Sequence, residues 1–111
     1  MSKRKDSVVL QDIRAAIERI TSYATGLEYD DFITDFKTQD AIIRNIEILG
    51  EAVKLLSEET KAQYPKIPWK DIAGTRDKLI HDYFGVNIDV VWSIVKNDIP
   101  FLHKEIEHRD G

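Results

Sequence analysis

Leu10, Ile13, Ile17 and Ile20 recur at intervals of three and four, the period of one face of an α-helix. The spacing predicts a helix from about Asp6 to Ala24, with Asp6 or Ser7 placed to cap it and Arg14 and Glu18 paired one turn apart on its outer face. "TGLEYDDFITDFKT" then breaks the rhythm and leaves room for one short helical turn around Asp30 to Thr34. The rhythm resumes with Ile42, Ile46, Leu49, Val53 and Leu56, a second buried stripe. Thr38 is expected to cap this second long helix, which would continue to the breaker "YPKIP". Gly50 falls inside it, where glycine costs about 1 kcal/mol relative to alanine. A close crossing by another backbone is the expected compensation.

Pro68 suits the first turn of a third helix, "PWKDIAGTRDKLIHDYF", stopped by Gly85. Asn87 can cap a fourth, "IDVVWSIVKNDIPFLHKEIEHR", whose Val91, Ile94, Val95, Ile99 and Leu102 should face inward. Pro100 lies within that segment and should kink it or divide it in two. Alternating strand patterns are nearly absent, and neither repeats nor long linkers divide the chain. The expected fold class is all-α: an antiparallel four-helix bundle, up to five helices, forming one domain over residues 1–111.

Composition narrows the function. With 42% apolar and 32% charged residues the chain has the balance of a folded soluble protein. No segment has the apolar length of a membrane span and the start, "MSKRKDSVVLQDIRAA", lacks the features of an export signal, so no membrane association and a cytoplasmic location are expected. The absence of cysteine excludes disulfides and thiolate chemistry. A formal net charge of −4 argues against a protein that coats nucleic acid along its length, although a compact basic pocket is still compatible with it. Lys3, Arg4 and Lys5 read as a solvated terminus.

One stretch, "GTRDKLIHDYFGVN", does not fit a bland bundle. On a continuous helix Trp69, Ile72, Ala73, Arg76, Leu79, Ile80 and Tyr83 share one face, which sets Arg76 inside an apolar stripe. A guanidinium there must be paired, hydrogen-bonded or open to a cleft. Glu47 and Glu51, near the edge of the second stripe, are candidate partners, and the plain reading is a buried clasp between two helices. His81, five residues on, points roughly 140° from Arg76. It lies along the Gly74–Asp77–His81 side, which small and charged residues mark as exposed or interfacial. Arg76 and His81 converge only if the helix loosens or a second subunit supplies its own copies. Tyr83 returns to the Arg76 face, either as a boundary aromatic or as an accessible hydroxyl beside the other two.

Other chemistries have weaker signals. His103 and His108 are five apart, not the four that sets two metal ligands on one helix face, and no metal site or cofactor is expected. Glycine-rich phosphate loops and nucleophile elbows are missing. Trp69 and Trp92 are expected to anchor packing, not to stack on bases.

"RDKLIHDYFGV" holds arginine, four residues, histidine, one residue and tyrosine, and resembles the signature of the HEPN superfamily, in particular the HepT-like toxins encoded beside a minimal nucleotidyltransferase, MntA. "YDDFITDFKTQDAIIRNIEILGEAVKLLS", "IPWKDIAGTRDKLIHDYFGVNIDVVW" and "VKNDIP" extend the likeness over nearly the whole chain after residue 7. The resemblance implies a homodimeric helical bundle with a cleft at its two-fold axis and metal-independent ribonuclease activity on an RNA substrate. It maps Arg76 and His81 onto the catalytic pair and Tyr83 onto the hydroxyl that an MntA-like antitoxin modifies with AMP. Apart from the resemblance, Glu47 and Glu51, as structural partners of Arg44 or Arg76, and Asp77 are candidate supporting residues. The other reading is a non-catalytic dimeric adaptor for a nucleotidyltransferase, with Arg76 as clasp, which the acidic net charge favours.

Overall fold

The computed structural model describes residues 3–79 and 85–110, apart from the side chains of Lys3, Arg4, Arg76 and residues 108–110. Helices α1 (Lys3–Ala24) and α3 (Phe36–Lys54) form its long pair. They run antiparallel, since Asp6 near the start of α1 binds Ser57 just past the end of α3. Ile13, Ile17 and Ile20 from one and Ile42, Ile46 and Val53 from the other are no more than 1% exposed, so both predicted stripes make the core. The interrupting segment holds one short helix, α2 (Tyr29–Phe32), where a turn was expected. It drives Phe32 fully into the core, and the Gln39 amide donates to the Phe32 carbonyl at 2.8 Å.

Both ends of α3 differ from expectation. Its cap is Asp35, not Thr38: the Asp35 carboxylate accepts from the Thr38 N–H (3.0 Å) and from the Thr38 hydroxyl (2.6 Å), which makes Thr38 the third residue of the first turn. Helix α3 also stops at Lys54 instead of reaching "YPKIP". Asp6 accepts from the Ser57 N–H at 3.1 Å, and Ser57 accepts from the Thr60 N–H at 3.2 Å to begin α4 (Glu58–Ala62). A carboxylate from α1 thus takes the amide that would otherwise have continued α3.

The third predicted helix is two. Helix α5 (Trp69–Ala73) has Pro68 at its cap rather than in its first turn, and Gly74 separates it from α6 (Thr75–Leu79). The Thr75 hydroxyl donates to the Ile72 carbonyl at 2.6 Å, occupying an acceptor at the end of α5. The crossing expected at Gly50 is present. A Cβ there would lie 3.3 Å from the Ile72 carbonyl oxygen and 3.8 Å from that of Ala73.

Asn87 caps α7 (Ile88–Ser93) as expected, accepting from the Val90 N–H at 3.2 Å. A π-helical segment, Ile94–Asp98, then leads into α8 (Ile99–Asp110). Pro100 is the cause: its ring would clash with the carbonyl four residues back, and the wider turn before it relieves the clash. Val91, Ile94, Val95, Ile99 and Leu102 are all buried. Helix α8 lies along α1, with Ile17 and Ile106 at their seam. Trp92 packs on Phe32 and Tyr29, and the Tyr29 hydroxyl donates to Asp89 at 2.5 Å, joining α2 to α7. Trp69 packs edge-on against Tyr64 and donates to the Lys61 carbonyl at 3.0 Å. Both tryptophans therefore anchor packing. The fold is all-α, with no strand among the described residues.

Gly50→Ala should be near neutral in urea denaturation, because a helix-propensity gain of about 1 kcal/mol is offset by crowding against backbone. Gly50→Val should lose about 1–3 kcal/mol by overpacking; equal stability in both variants would show that α5 does not rest on bare backbone. The Asp6 carboxyl is held below the usual carboxylate range by the Ser57 hydroxyl, then by the Thr60 hydroxyl and the Ser57 amide. A depressed folded pKa stabilises above the unfolded value and is lost as pH falls through the folded one. Melting curves should therefore show Asp6→Asn less stable than wild type at pH 7, with a shallower decline below about pH 4.

Candidate functional site

Helix α6 is one turn and a half long, and two side chains fix how it lies. Leu79 is 1% exposed in the core, and Thr75 is buried and tied back to α5. Asp77 and Lys78 consequently face solvent. Arg76 is the second residue of this helix. Its side chain, together with His81 and Tyr83, lies outside the described residues. The break at Gly74 changes the geometry from which Arg76 was placed in an apolar stripe: Trp69, Ile72 and Ala73 belong to α5, and among the described residues of that stripe only Leu79 shares α6 with it.

The described flanks of the motif meet. The Asn87 N–H donates to the Leu79 carbonyl at 2.9 Å, so the start of α7 is pinned to the end of α6. The same Asn87 caps α7 with its side chain, and Gly85 just before it has φ +114°, a backbone region that favours glycine. The described backbone on either side of residues 80–84 is thereby joined at one point of the bundle.

The acidic supporting candidates separate into two places. Glu47 and Glu51 line a groove of about 410 Å³ between α1 and α3, with Arg19, Arg44 and Asp12. Glu51 pairs with Lys54 at 3.0 Å, a bridge between two largely exposed groups that adds little to stability. Asp77 is on α6, exposed beside Arg76.

Two hollows flank α5 and α6, and the residue pattern had singled out neither. On the α4 side, Lys54, Lys61 and Lys70 surround Trp69 in an open concavity of about 730 Å³, with Glu58 paired to Lys61 at 3.4 Å. On the other side a hollow of about 360 Å³ lies between α5–α6 and the π segment with α8. Asp71, Thr75 and Lys78 form one wall; Asn97, Asp98 and Phe101 form the other. The only signal for it was "VKNDIP": a proline that breaks the ladder and two amide- or acid-bearing residues just before it. His103 is exposed on α8, and no group of three or more metal-ligating side chains occurs among the described residues. None of the helices among those residues is long and apolar enough to cross a membrane.

Comparison with known proteins matches residues 13–109 to the model of a family described as ribonuclease HepT-like. A Thermococcus cleftensis protein named as a probable ribonuclease HepT is 47% identical over 105 residues, covering 95% of this chain and 96% of its own. A candidate RNase of Methanocaldococcus jannaschii is 45% identical over 107 residues, 96% of this chain and 88% of its own. A candidate RNase of Caldanaerobacter subterraneus subsp. tengcongensis is 43% identical over 99 residues, 89% and 85% of the two chains. No solved structure matches the chain. With a family model spanning nearly all of the bundle and relatives of this identity along their whole length, the chain belongs to the HepT-like ribonuclease family.

Proposed function

We propose that this protein is the toxin of a two-component toxin–antitoxin pair: a homodimeric, metal-independent endoribonuclease that a nucleotidyltransferase partner silences by adding AMP to Tyr83. The observation that carries the reading is the arginine–x4–histidine–x–tyrosine string at Arg76, His81 and Tyr83, in a chain matched to the family over residues 13–109. The chemistry needs no metal. His81 takes the proton from a ribose 2′-hydroxyl; the freed oxygen attacks the adjacent phosphorus, a 2′,3′-cyclic phosphate forms, and the departing 5′-oxygen collects a proton. An imidazole with pKa near 6.5 exchanges its proton readily at neutral pH, and the partner protomer's copy can serve as acid while the first serves as base. Arg76 supplies charge to the phosphoryl oxygens as they gain electron density.

The dimer brings two copies of the short motif to one cleft and so doubles the guanidinium and imidazole groups available. The hollow around Trp69, with three lysines against Glu58, carries a net positive charge on a chain whose net charge is −4, which accommodates RNA close to α5 without a basic surface overall. An AMP group on Tyr83 would add bulk and negative charge to the cleft and repel the phosphate backbone.

Purified protein whose intact mass shows Tyr83 unmodified should cleave RNA in excess EDTA and leave 2′,3′-cyclic phosphate ends. His81→Ala should lose about 10²–10⁴-fold of that activity, and Arg76→Ala about 10²–10³-fold. A need for added divalent metal would refute the metal-free mechanism, and equal activity in His81→Ala would remove His81 from catalysis. Absence of cleavage by an unmodified dimer on transfer and messenger RNA would favour the adaptor reading instead. Sedimentation at micromolar concentration should give twice the chain mass; a monomer would contradict the shared cleft.

A further inference from the structure

The hollow between α5–α6 and the π segment has no role in the chemistry just described, yet its wall begins on the same short helix as Arg76. Thr75 and Lys78 line it and bracket Arg76 in sequence. At about 100° per residue Arg76 is turned roughly 100° from Thr75 and roughly 160° from Lys78, so the hollow opens at the same height on α6 but on another side of it from Arg76. Its volume, about 360 Å³, falls in the range of sites that hold small organic groups.

The lining defines what it would hold. Asp71 and Asp98 outnumber Lys78, so the hollow is unfavourable for phosphate. Phe101 keeps 39% of its surface exposed on the rim, although α8 buries its neighbour Leu102 at 3%. An aromatic left open beside a hollow can stack on a planar ring. Asn97 carries both a donor and an acceptor, and Asp98 carries acceptors alone. Both stand in the π-helical segment that Pro100 imposes, and the Asn97 amide makes a long 3.4 Å contact to the Ser93 hydroxyl. An aromatic face, an amide and a carboxylate together match the edge of a nucleobase bearing an exocyclic amine, which adenine, cytosine and guanine have and uracil does not.

The geometry points to a base-recognition subsite for single-stranded RNA in this hollow: Phe101 stacks on one nucleobase, Asn97 and Asp98 read its amine-bearing edge, and Lys78 faces the adjoining phosphate. This rests on the ribonuclease reading, because it takes the occupant to be a nucleotide of the RNA substrate. It assigns Asn97 and Asp98 to specificity and leaves proton transfer to the motif.

The test uses full-length protein and 2′-O-methyl hexamers of each of the four bases, whose blocked 2′-oxygen prevents cleavage, so binding is read without catalysis. Wild type should bind the adenine, cytosine or guanine hexamer about 5- to 100-fold tighter than the uracil hexamer. Replacing both Asn97 and Asp98 by alanine should reduce that preference to within about twofold. Phe101→Ala should weaken binding of the preferred hexamer by about fivefold or more, and Phe101→Tyr should restore it, which a purely structural role would not require. Wild-type binding without base preference, no binding at all, or a preference unchanged by the double substitution would overturn the assignment. Parallel cleavage of unmodified RNA separates the two ideas. Cleavage with the preference intact in the double variant defeats the subsite alone; a base preference that the variant abolishes, without any cleavage by wild type, defeats the ribonuclease alone.

Discussion

Where α3 passes α5 it shows bare backbone at Gly50, and the Ile72 and Ala73 carbonyls come so near that a methyl group would meet the first at 3.3 Å. That contact sets the height of α5 on the bundle. Thr75 is tied to Ile72, α6 follows, and Leu79 then fixes the rotation of α6 by entering the core. The start of α7 is held against the end of α6 through Leu79 and Asn87. A glycine that weakens its own helix by about 1 kcal/mol thus governs where the motif enters and leaves the bundle.

A second constraint is the proline in the last long segment. Pro100 cannot continue an ordinary α-helical ladder, and the chain answers with one wide turn, Ile94–Asp98, without losing the inward face of Ile94, Val95, Ile99 and Leu102. The apolar period survives on the core side while Asn97 and Asp98 are set outward, opposite Asp71, Thr75 and Lys78. A backbone defect needed for packing therefore creates a polar wall facing α6. The two hollows also differ in sign, one carrying three lysines against Glu58 and the other two aspartates against one lysine. A nucleic acid needs both kinds of environment, positive near its phosphates and hydrogen-bonding near its bases. An overall charge of −4 is compatible with such a division because the charges that matter act within about a Debye length, roughly 8–10 Å.

Much of the bundle was readable from apolar spacing alone, because burial of a helix face imposes a period near 3.6 whatever the partner. The stripes of α1 and α3, the inward set of the last segment, the cap at Asn87 and the close crossing at Gly50 all follow from local pattern and side-chain chemistry. The membership of the chain in its family was legible for another reason: Arg76, His81 and Tyr83 occur at a characteristic spacing, with three further blocks in order.

The positions decided by tertiary structure are those where one residue has two good local options. Asp35 and Thr38 are both capable caps, and a hydrogen bond to each oxygen of Asp35 settles the choice. Ser57, just past the end of α3, can cap a new helix, and Asp6, fifty-one residues away, holds it there by accepting its amide. The apolar period runs unbroken through Gly74, yet the helix does not, because the Thr75 hydroxyl satisfies an α5 carbonyl. The hollow beside α6 was invisible for the same reason, since its walls come from separate segments, Asp71 to Lys78 and Asn97 to Phe101, that only packing juxtaposes. Period and spacing along the chain record which residues must be buried together. Hydrogen bonds and close approaches between distant segments determine where helices end and which polar groups share a cavity.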